Sequence, residues 1–280
     1  MRVLVTGAGG QLGLDVVEHC TGAGDDVAAF DRARLDVTDR GAVMAAVAAT
    51  RPDAVVNCAA FTAVDRCETE IDTAFAVNAT AVAHLADAVA LAGAHLLHVS
   101  TDYVFDGTLD RPYREDDEPH PRSVYGRSKL AGERAAGAAA TVVRTSWVCG
   151  EHGSNMVRLV LGLAADGRDL AFVDDQRGCP SFTADLAPAL RRLAADRPGG
   201  VFHVTNAGAV TWYEFVREIL VAAGHDPGQV RPISTSDLDP PRPAPRPANG
   251  VLDNARWRDS GRPPLRDFRE PLAELVARLT

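Results

Sequence analysis

The stretch "VTGAGGQLG", residues 5–13, decides the fold. It joins an apolar run, "RVLVTG" (2–7), to a segment of helical period, "QLGLDVVEHCTGAG" (11–24), that ends in glycines. Glycines at Gly7, Gly10 and Gly13 fall in the turn between them. There they allow a tight bend, a close approach of backbone to a pyrophosphate, and tight packing of helix on strand. The helix N-terminus then offers unpaired N–H groups to an anion. A glycine-rich turn alone is weak evidence, but this one has the strand–turn–helix context the chemistry needs. The next strand, "DVAAFD" (26–31), ends on Asp31, 18 residues after Gly13 and close to the offset of about 20 expected for a ribose-binding acid. Asp31 favours the free 2′-hydroxyl of NADH, whereas Arg32 and Arg34 suit the 2′-phosphate of NADPH, so the residues support either dinucleotide.

The same rhythm continues along the chain. A helix is expected over 38–52, with Thr38 as N-cap and Pro52 as stop, then a buried strand over 53–60. A long helix over 73–93 leads to a strand over 94–101. A polar, proline-rich loop (106–122) precedes a helix beginning near Ser123, and "TVVRTSWV" (141–148) is a further strand. Alternation of this kind specifies an α/β fold: a Rossmann-type, doubly wound parallel sheet with helices on both faces. Past Gly150 the pattern changes to helices over 154–167, 183–195, 211–224 and about 266–279, with strands at 169–175, 200–206 and near 231–235. The expected organisation is a dinucleotide-binding domain over 1–150, completed by segments near 183–206 and 249–254. Residues 151–280 would mainly form a smaller C-terminal α/β substrate lobe. "LDPPRPAPRPANG" (238–250) has the composition of a solvated linker, but helical and strand segments continue beyond it, which favours an ordered loop.

Composition narrows the function. With 280 residues, 46% hydrophobic and 24% charged, the chain is that of a soluble globular protein able to bury roughly three quarters of its unfolded surface. A net charge of −9 without a basic stripe argues against nucleic acid as a partner. The five cysteines, Cys20, Cys58, Cys67, Cys149 and Cys179, form no C-x-x-C pair, as expected of reduced thiols in the cytoplasm. His95 and His98 sit in an apolar run at a spacing wrong for zinc and are expected to be structural. No apolar stretch is expected to reach membrane-spanning length uninterrupted, and the first residues are already a strand, so neither a membrane nor a signal peptide is anticipated.

A second stretch, "SVYGRSKLAGE" (123–133), carries the chemistry. Tyr125 and Lys129, four residues apart, share one helix face. In isolation the pair would be a surface ring on an aliphatic stem. Beside a dinucleotide site it is a proton donor with a cationic neighbour: an ammonium favours the phenolate and should lower a phenol pKa from about 10. Thr101 ends a strand at the carboxyl edge, where open parallel sheets place their ligands.

Taken together, Thr6-Gly7-x-x-Gly10-x-x-Gly13 and Tyr125-x-x-x-Lys129 resemble the extended short-chain dehydrogenase/reductases. "NCAAFTAVDRCE" (57–68), "NAT" (78–80), "STDYVFDG" (100–107), "RTSWV" (144–148), "DQRGCP" (175–180) and "RPANGVLDN" (246–254) extend the resemblance over nearly the whole chain. Within that superfamily they are similar to the dTDP-4-dehydrorhamnose reductase family. The resemblance implies that Tyr125 donates a proton to a ketone oxygen as nicotinamide delivers hydride. Lys129 would bind the nicotinamide ribose, and Thr101 would orient the phenol or donate to the carbonyl. It adds Gln11, Leu12, Asp36, Val37, Cys58, Ala59, Ala60 and Thr62 to the cofactor contacts, and Asp102, Tyr103, Trp147 and Asn155 to those of a dTDP-linked deoxysugar. A monomer or homodimer is implied. Some members hold a metal through acidic residues at a dimer interface; Asp15 and Asp185 match without a third ligand, so no metal is expected.

Departures fall on the substrate side. Cys149 stands where a tyrosine is frequent, Ser181 where a threonine is, and Gly250 where a serine is. They bear on which sugar is held. The related dehydratases carry two acids after the strand threonine, whereas here Asp102 is followed by Tyr103. Epimerases share the Tyr/Lys pair, and "STDYVFDG" argues against them. A non-catalytic regulatory subunit on the same fold is disfavoured by intact Thr101, Tyr125 and Lys129.

Overall fold

The computed structural model describes residues 1–167 and 169–280. Strands β1 (Arg2–Thr6), β2 (Asp26–Phe30), β3 (Ala54–Asn57), β4 (His95–Thr101) and β5 (Thr141–Thr145) alternate with helices along the chain. The helices are α1 (Gln11–Gly22), α2 (Arg40–Thr50), α3 (Val64–Cys67), α4 (Ile71–Phe75), α5 (Ala81–Ala92) and α6 (Val124–Ala136). Further on come β6 (Val148–Cys149), α7 (Met156–Ala165), β7 (Leu170–Val173), β8 (Arg177–Gly178), β9 (Ser181–Phe182), α8 (Thr183–Asp196) and β10 (Gly200–His203). The chain closes with β11 (Val210–Thr211), α9 (Trp212–Ala222), β12 (Val230–Ile233), α10 (Ala255–Asp259) and α11 (Arg269–Leu279).

Six strands form one parallel sheet in the order β10-β5-β4-β3-β1-β2. The order reverses at β1/β3, the switch point at which such sheets open a crevice beyond their carboxyl ends. Register brings Thr6 beside Asn57, and Thr101 beside Thr145, at that edge. Because crossover helices cover both faces, the strands are buried almost throughout, polar residues included, as "AVVN" and "HLLHVST" show. One core packs Val3, Val5 and Val56 against Val16 of α1 and Leu186 and Leu190 of α8. The other packs Leu4, Val55 and Leu96 against Val43 of α2 and Leu85 of α5. A third core, with Val160, Phe215, Ile219 and Leu272, holds α7, α9 and α11 together beside the paired strands β7 and β12.

Several boundaries differ from the sequence expectation, each for a local reason. Asp39, not Thr38, caps α2 by accepting from the Ala42 N–H; Thr38 instead donates to Asp36. The helix stops at Thr50 because a residue preceding proline avoids helical backbone. The strand expected to run to 60 ends at Asn57, whose side-chain oxygen turns back to accept from the Ala59 N–H. The strand expected over 141–148 breaks after Thr145, since Trp147 adopts φ +45° and carries the chain out of the sheet to pair β6 with β9.

The single helix expected over 73–93 is α4, a widened π turn (Ala76–Thr80) and α5. This continuous run, Ile71–Ala92, is long and apolar enough by length and composition to cross a membrane, contrary to the expectation. One face of it is buried, with Ala74, Asn78, Ala81, Val82 and Leu85 toward the interior, while Ile71 and Leu91 are exposed. The 238–250 segment is an ordered loop, clamped where Arg177 N–H donates to Ala248 O and Gly250 N–H donates to Arg177 O.

Candidate active site

The glycine turn is built by what its residues lack. Gly7 has φ +68°, and a β-carbon on it would lie 2.5 Å from Ala59 N; one on Gly13 would lie 2.1 Å from Gly7 O. Gly7 therefore seats the turn on the end of β3, and Gly13 seats α1 on the turn. Beyond them runs an open groove of about 670 Å³, lined by Gly7, Gly10, Asp31, Asp36, Cys58 and Ala59 among others. Arg32, Val37 and Ala60, also expected from sequence, line it too. Small side chains along its floor and the positive end of α1 at its wall suit an extended dinucleotide with a pyrophosphate.

Three expected cofactor residues lie elsewhere: the Leu12 side chain is in the core, Gly13 is a packing contact, and Thr62 is exposed outside the groove walls. Gln11 donates to Val148 O at 3.0 Å and accepts from Asn155 Nδ2 at 2.7 Å, linking α1 to the start of α7. Asn155, expected near the sugar, is spent on that link, on Gly150 O and on capping α7. Thr73 of α4 and Ala76 and Val77 of the π turn join the groove unannounced by sequence.

Helix α6 is capped by Ser123, whose hydroxyl accepts from the Gly126 N–H. Its two glycines let it lie against its neighbours: a β-carbon on Gly126 would sit 2.1 Å from Tyr103 O, and one on Gly132 2.0 Å from Asn78 O. Tyr125, Lys129 and Glu133 all fall on the buried face, as their spacing dictates. Asn78 is fully buried in the π turn; it accepts from Phe61 N–H at 2.8 Å and donates to Phe61 O and Ser128 Oγ. Sequence reasoning noted "NAT" only as part of a resemblance.

The expected acidification of Tyr125 is not what the structure shows. Burial pushes the phenol up from its usual pKa of 10, and the hydrogen bond with Thr101 pulls it down only partly. Lys129 Nζ donates instead to Val99 O at 2.7 Å and lies 3.4 Å from His98 Nε2. Burial lowers the lysine to about 8. A protonated phenol is nonetheless the form a reductase needs, because the proton must be present to be given away.

Beside Tyr125, Thr101 donates to Asp102 Oδ1 at 2.9 Å and accepts from Tyr103 N–H at 3.2 Å. Asp102 is almost fully buried, its Oδ2 has no hydrogen-bond partner among the described residues, and burial raises its carboxyl to about 7. A β-carbon on Gly250 would come within 2.5 Å of that oxygen. Tyr103 meets the Tyr125 ring edge-on, centroids 5.4 Å apart, and Trp147 stacks on Trp212 at 3.5 Å and 7°. Asp102, Tyr103 and Trp147 share a gap of about 10 Å³ with Arg177, Trp212 and Arg246, room for about one water. Arg246 is braced by Asp65 through bonds of 2.5 and 2.7 Å. Of these, Asp65, Arg177, Trp212 and Arg246 were not anticipated, since each comes from a distant segment.

Of the two acids matched to a metal position, Asp185 is held by Arg266 and Asn206. Asp15 instead groups with Glu18 and His152 on the surface, their ligand atoms within 4.8 Å of one another.

Comparison with known proteins agrees with this geometry. The family described as "RmlD substrate binding domain" matches residues 1–280. A dTDP-4-dehydrorhamnose reductase of Streptomyces griseus is 46% identical, over 98% of this chain and 92% of that protein. A "probable dTDP-4,6-dihydroxy-2-methyloxan-3-one 4-ketoreductase" of Streptomyces antibioticus is 47% identical, over 98% and 94%. Among solved structures, a dTDP-4-dehydrorhamnose reductase of Bacillus anthracis in complex with NADP superposes with a TM-score of 0.94 at 34% identity, over 99% of each chain.

Proposed function

Because this chain belongs to the RmlD substrate-binding family, we propose that it uses NADPH or NADH to reduce the C4 ketone of a dTDP-linked 4-keto-6-deoxysugar. The leading substrate is dTDP-4-dehydro-L-rhamnose, giving dTDP-L-rhamnose. The observation that carries this reading is that Thr101, Tyr125 and Lys129 lie buried around the carboxyl end of β4, beside β3, whose end runs into the groove at Cys58 and Ala59.

The bound dinucleotide supplies hydride to the carbonyl carbon. The chain's own residues manage the oxygen. Tyr125, kept protonated by burial, donates its proton to the oxygen as negative charge develops there. Thr101, fixed by Asp102 and the Tyr103 N–H, holds the phenol in line. Lys129, anchored on Val99 O, positions the nicotinamide ribose. Trp147 and Tyr103 flank the sugar.

The Streptomyces antibioticus relative favours a second substrate, another dTDP-linked 4-ketosugar. One experiment separates the two. The protein is mixed with dTDP-4-keto-6-deoxyglucose and either dinucleotide, with and without a 3,5-epimerase, and nicotinamide absorbance is followed. Oxidation only with the epimerase, with dTDP-L-rhamnose as product, supports the leading reading. Oxidation without it supports the second, and no oxidation in any mixture sinks the leading reading.

A further inference from the structure

His98 lies in β4 behind Lys129, with no exposed surface. Its two ring nitrogens meet different neighbours: Nδ1 is 3.0 Å from Asn57 Nδ2, and Nε2 is 3.4 Å from Lys129 Nζ. The amide of Asn57 cannot be turned over. The Ala59 backbone N–H points at Oδ1 from 3.1 Å, and an N–H requires an acceptor there. The Thr6 hydroxyl donates to the same oxygen at 2.7 Å. Asn57 therefore presents its NH2 group to the ring, and Nδ1 must accept.

A neutral imidazole accepting at Nδ1 carries its hydrogen on Nε2. The charged ring, with hydrogens on both nitrogens, would set N–H against N–H at Asn57 and place a second buried cation beside Lys129. The Nε2–H thus points at Lys129 Nζ. A hydrogen bond closes there only when the amine has a lone pair to offer; an ammonium meets the ring hydrogen head-on.

We infer that His98, locked by Asn57 with its hydrogen on Nε2, is a positioning residue that biases Lys129 toward its neutral amine. The other groups around the lysine do not reverse this. Glu133, one turn further along α6, favours the ammonium, but its carboxylate is shared by Ser100 Oγ at 2.6 Å and Arg144 at 2.9 and 2.7 Å. Cys58 at the end of β3 stays a thiol, pushed up to about 12 by burial, and Tyr125 one turn earlier stays a phenol. Burial of the lysine acts in the same direction as the ring. Only the consequence for turnover, a lysine that exchanges its proton near neutrality, rests on the proposed function.

The test exploits composition: Lys129 is the only lysine in the chain. Lysine labelled with 13C and 15N therefore gives a single side-chain titration, read by NMR on the cofactor-free protein. His98→Gln offers an acceptor oxygen where the ring offered a hydrogen. It should raise the Lys129 midpoint by about one pH unit, a tenfold gain in proton affinity. An unmoved midpoint in a variant that retains the wild-type fold and NADPH binding overturns the inference. Long-range 1H–15N spectra of the wild type, which need no variant, should show the His98 hydrogen on Nε2; finding it on Nδ1 overturns it equally. Both readings are taken without substrate, so they hold or fail independently of the reduction assay.

Discussion

The groove over Gly7 and the cluster of side chains between Asp102 and Trp212 are built by contrary means. The groove is shaped by omission: glycine at two close approaches, and Cys58, Ala59 and Ala60 along the floor. The proposed sugar side is shaped by insertion of two stacked indoles, two tyrosines edge to face, an arginine braced by an aspartate and a buried carboxyl with one oxygen unpartnered among the described residues. The difference teaches where discrimination resides. A surface of backbone and small residues reads a shape common to many dinucleotide enzymes, whereas side chains drawn from several loops read one ligand.

If the two ends are separable, damage to the chemistry should leave the groove intact. Tyr125→Phe removes the proton but not the ring that packs against Tyr103. The expected result is a fall in kcat of about 10²- to 10⁴-fold with the Kd for NADPH unchanged. Stopped-flow reduction and fluorescence titration check the two halves. A parallel loss of dinucleotide affinity would break the separation.

The sugar end should also carry a pH signature that the groove lacks. Asp102 is held neutral up to about pH 7 in the folded protein but ionises near 3.9 when unfolded. Between those values the native state keeps a proton that the unfolded chain has shed. Stability must therefore fall as pH rises from about 4 to about 7, then level off. Asp102→Asn abolishes that slope, so its stability relative to wild type should climb by roughly 2–4 kcal/mol across the window. Urea melts at pH 4, 5.5 and 7.5 decide it; parallel curves would mean that a solvent path already satisfies the free oxygen.

The same division explains what could be read from sequence. Omission leaves a trace: Gly7, Gly10 and Gly13 at fixed spacing, followed by Asp31, mark the groove, and at Gly7 and Gly13 a β-carbon would collide with backbone. The Tyr125/Lys129 pair was legible because helical period alone sets both on one face. The sugar pocket was only half legible. Arg246 meets Asp65 across 181 residues, and Trp212 meets Trp147 only because left-handed backbone at Trp147 turns the chain out of the sheet. No local pattern announces such meetings. The acidified phenol failed for a similar reason: spacing gives a shared face, but not the direction of Nζ, which Val99 O claims.

At the groove, the sharpest test is a methyl group where none fits. Gly13→Ala drives a β-carbon to 2.1 Å from Gly7 O and should cost about 1–3 kcal/mol of stability, together with a tenfold or greater loss of NADPH affinity. Gly22→Ala, at the other end of the same helix with nothing within 4 Å, should be neutral or stabilising by up to about 1 kcal/mol. Thermal melts of the pair separate steric collision from helix propensity. At the sugar end, Trp147→Ala removes one face of the indole stack and should raise KM for the sugar nucleotide about three- to tenfold. KM for the dinucleotide should stay put.

The smallest effect concerns the one place where the groove does use charge. Arg34 is already committed: its backbone N–H donates to Asp31 Oδ1 at 2.9 Å, its guanidinium donates to Ala29 O at 2.8 Å, and it lies over the Phe30 ring. Arg32 is exposed on the groove wall, placed to meet a 2′-phosphate. Exposed ion pairs contribute only about 0.2–1 kcal/mol, so Arg32→Ala should weaken NADPH no more than about fivefold and leave NADH unchanged. The loss should shrink further at high salt, as screening predicts. A larger, salt-insensitive loss would mean that the arginine is ordered and desolvated by the cofactor, and that the groove, like the sugar pocket, discriminates through a side chain.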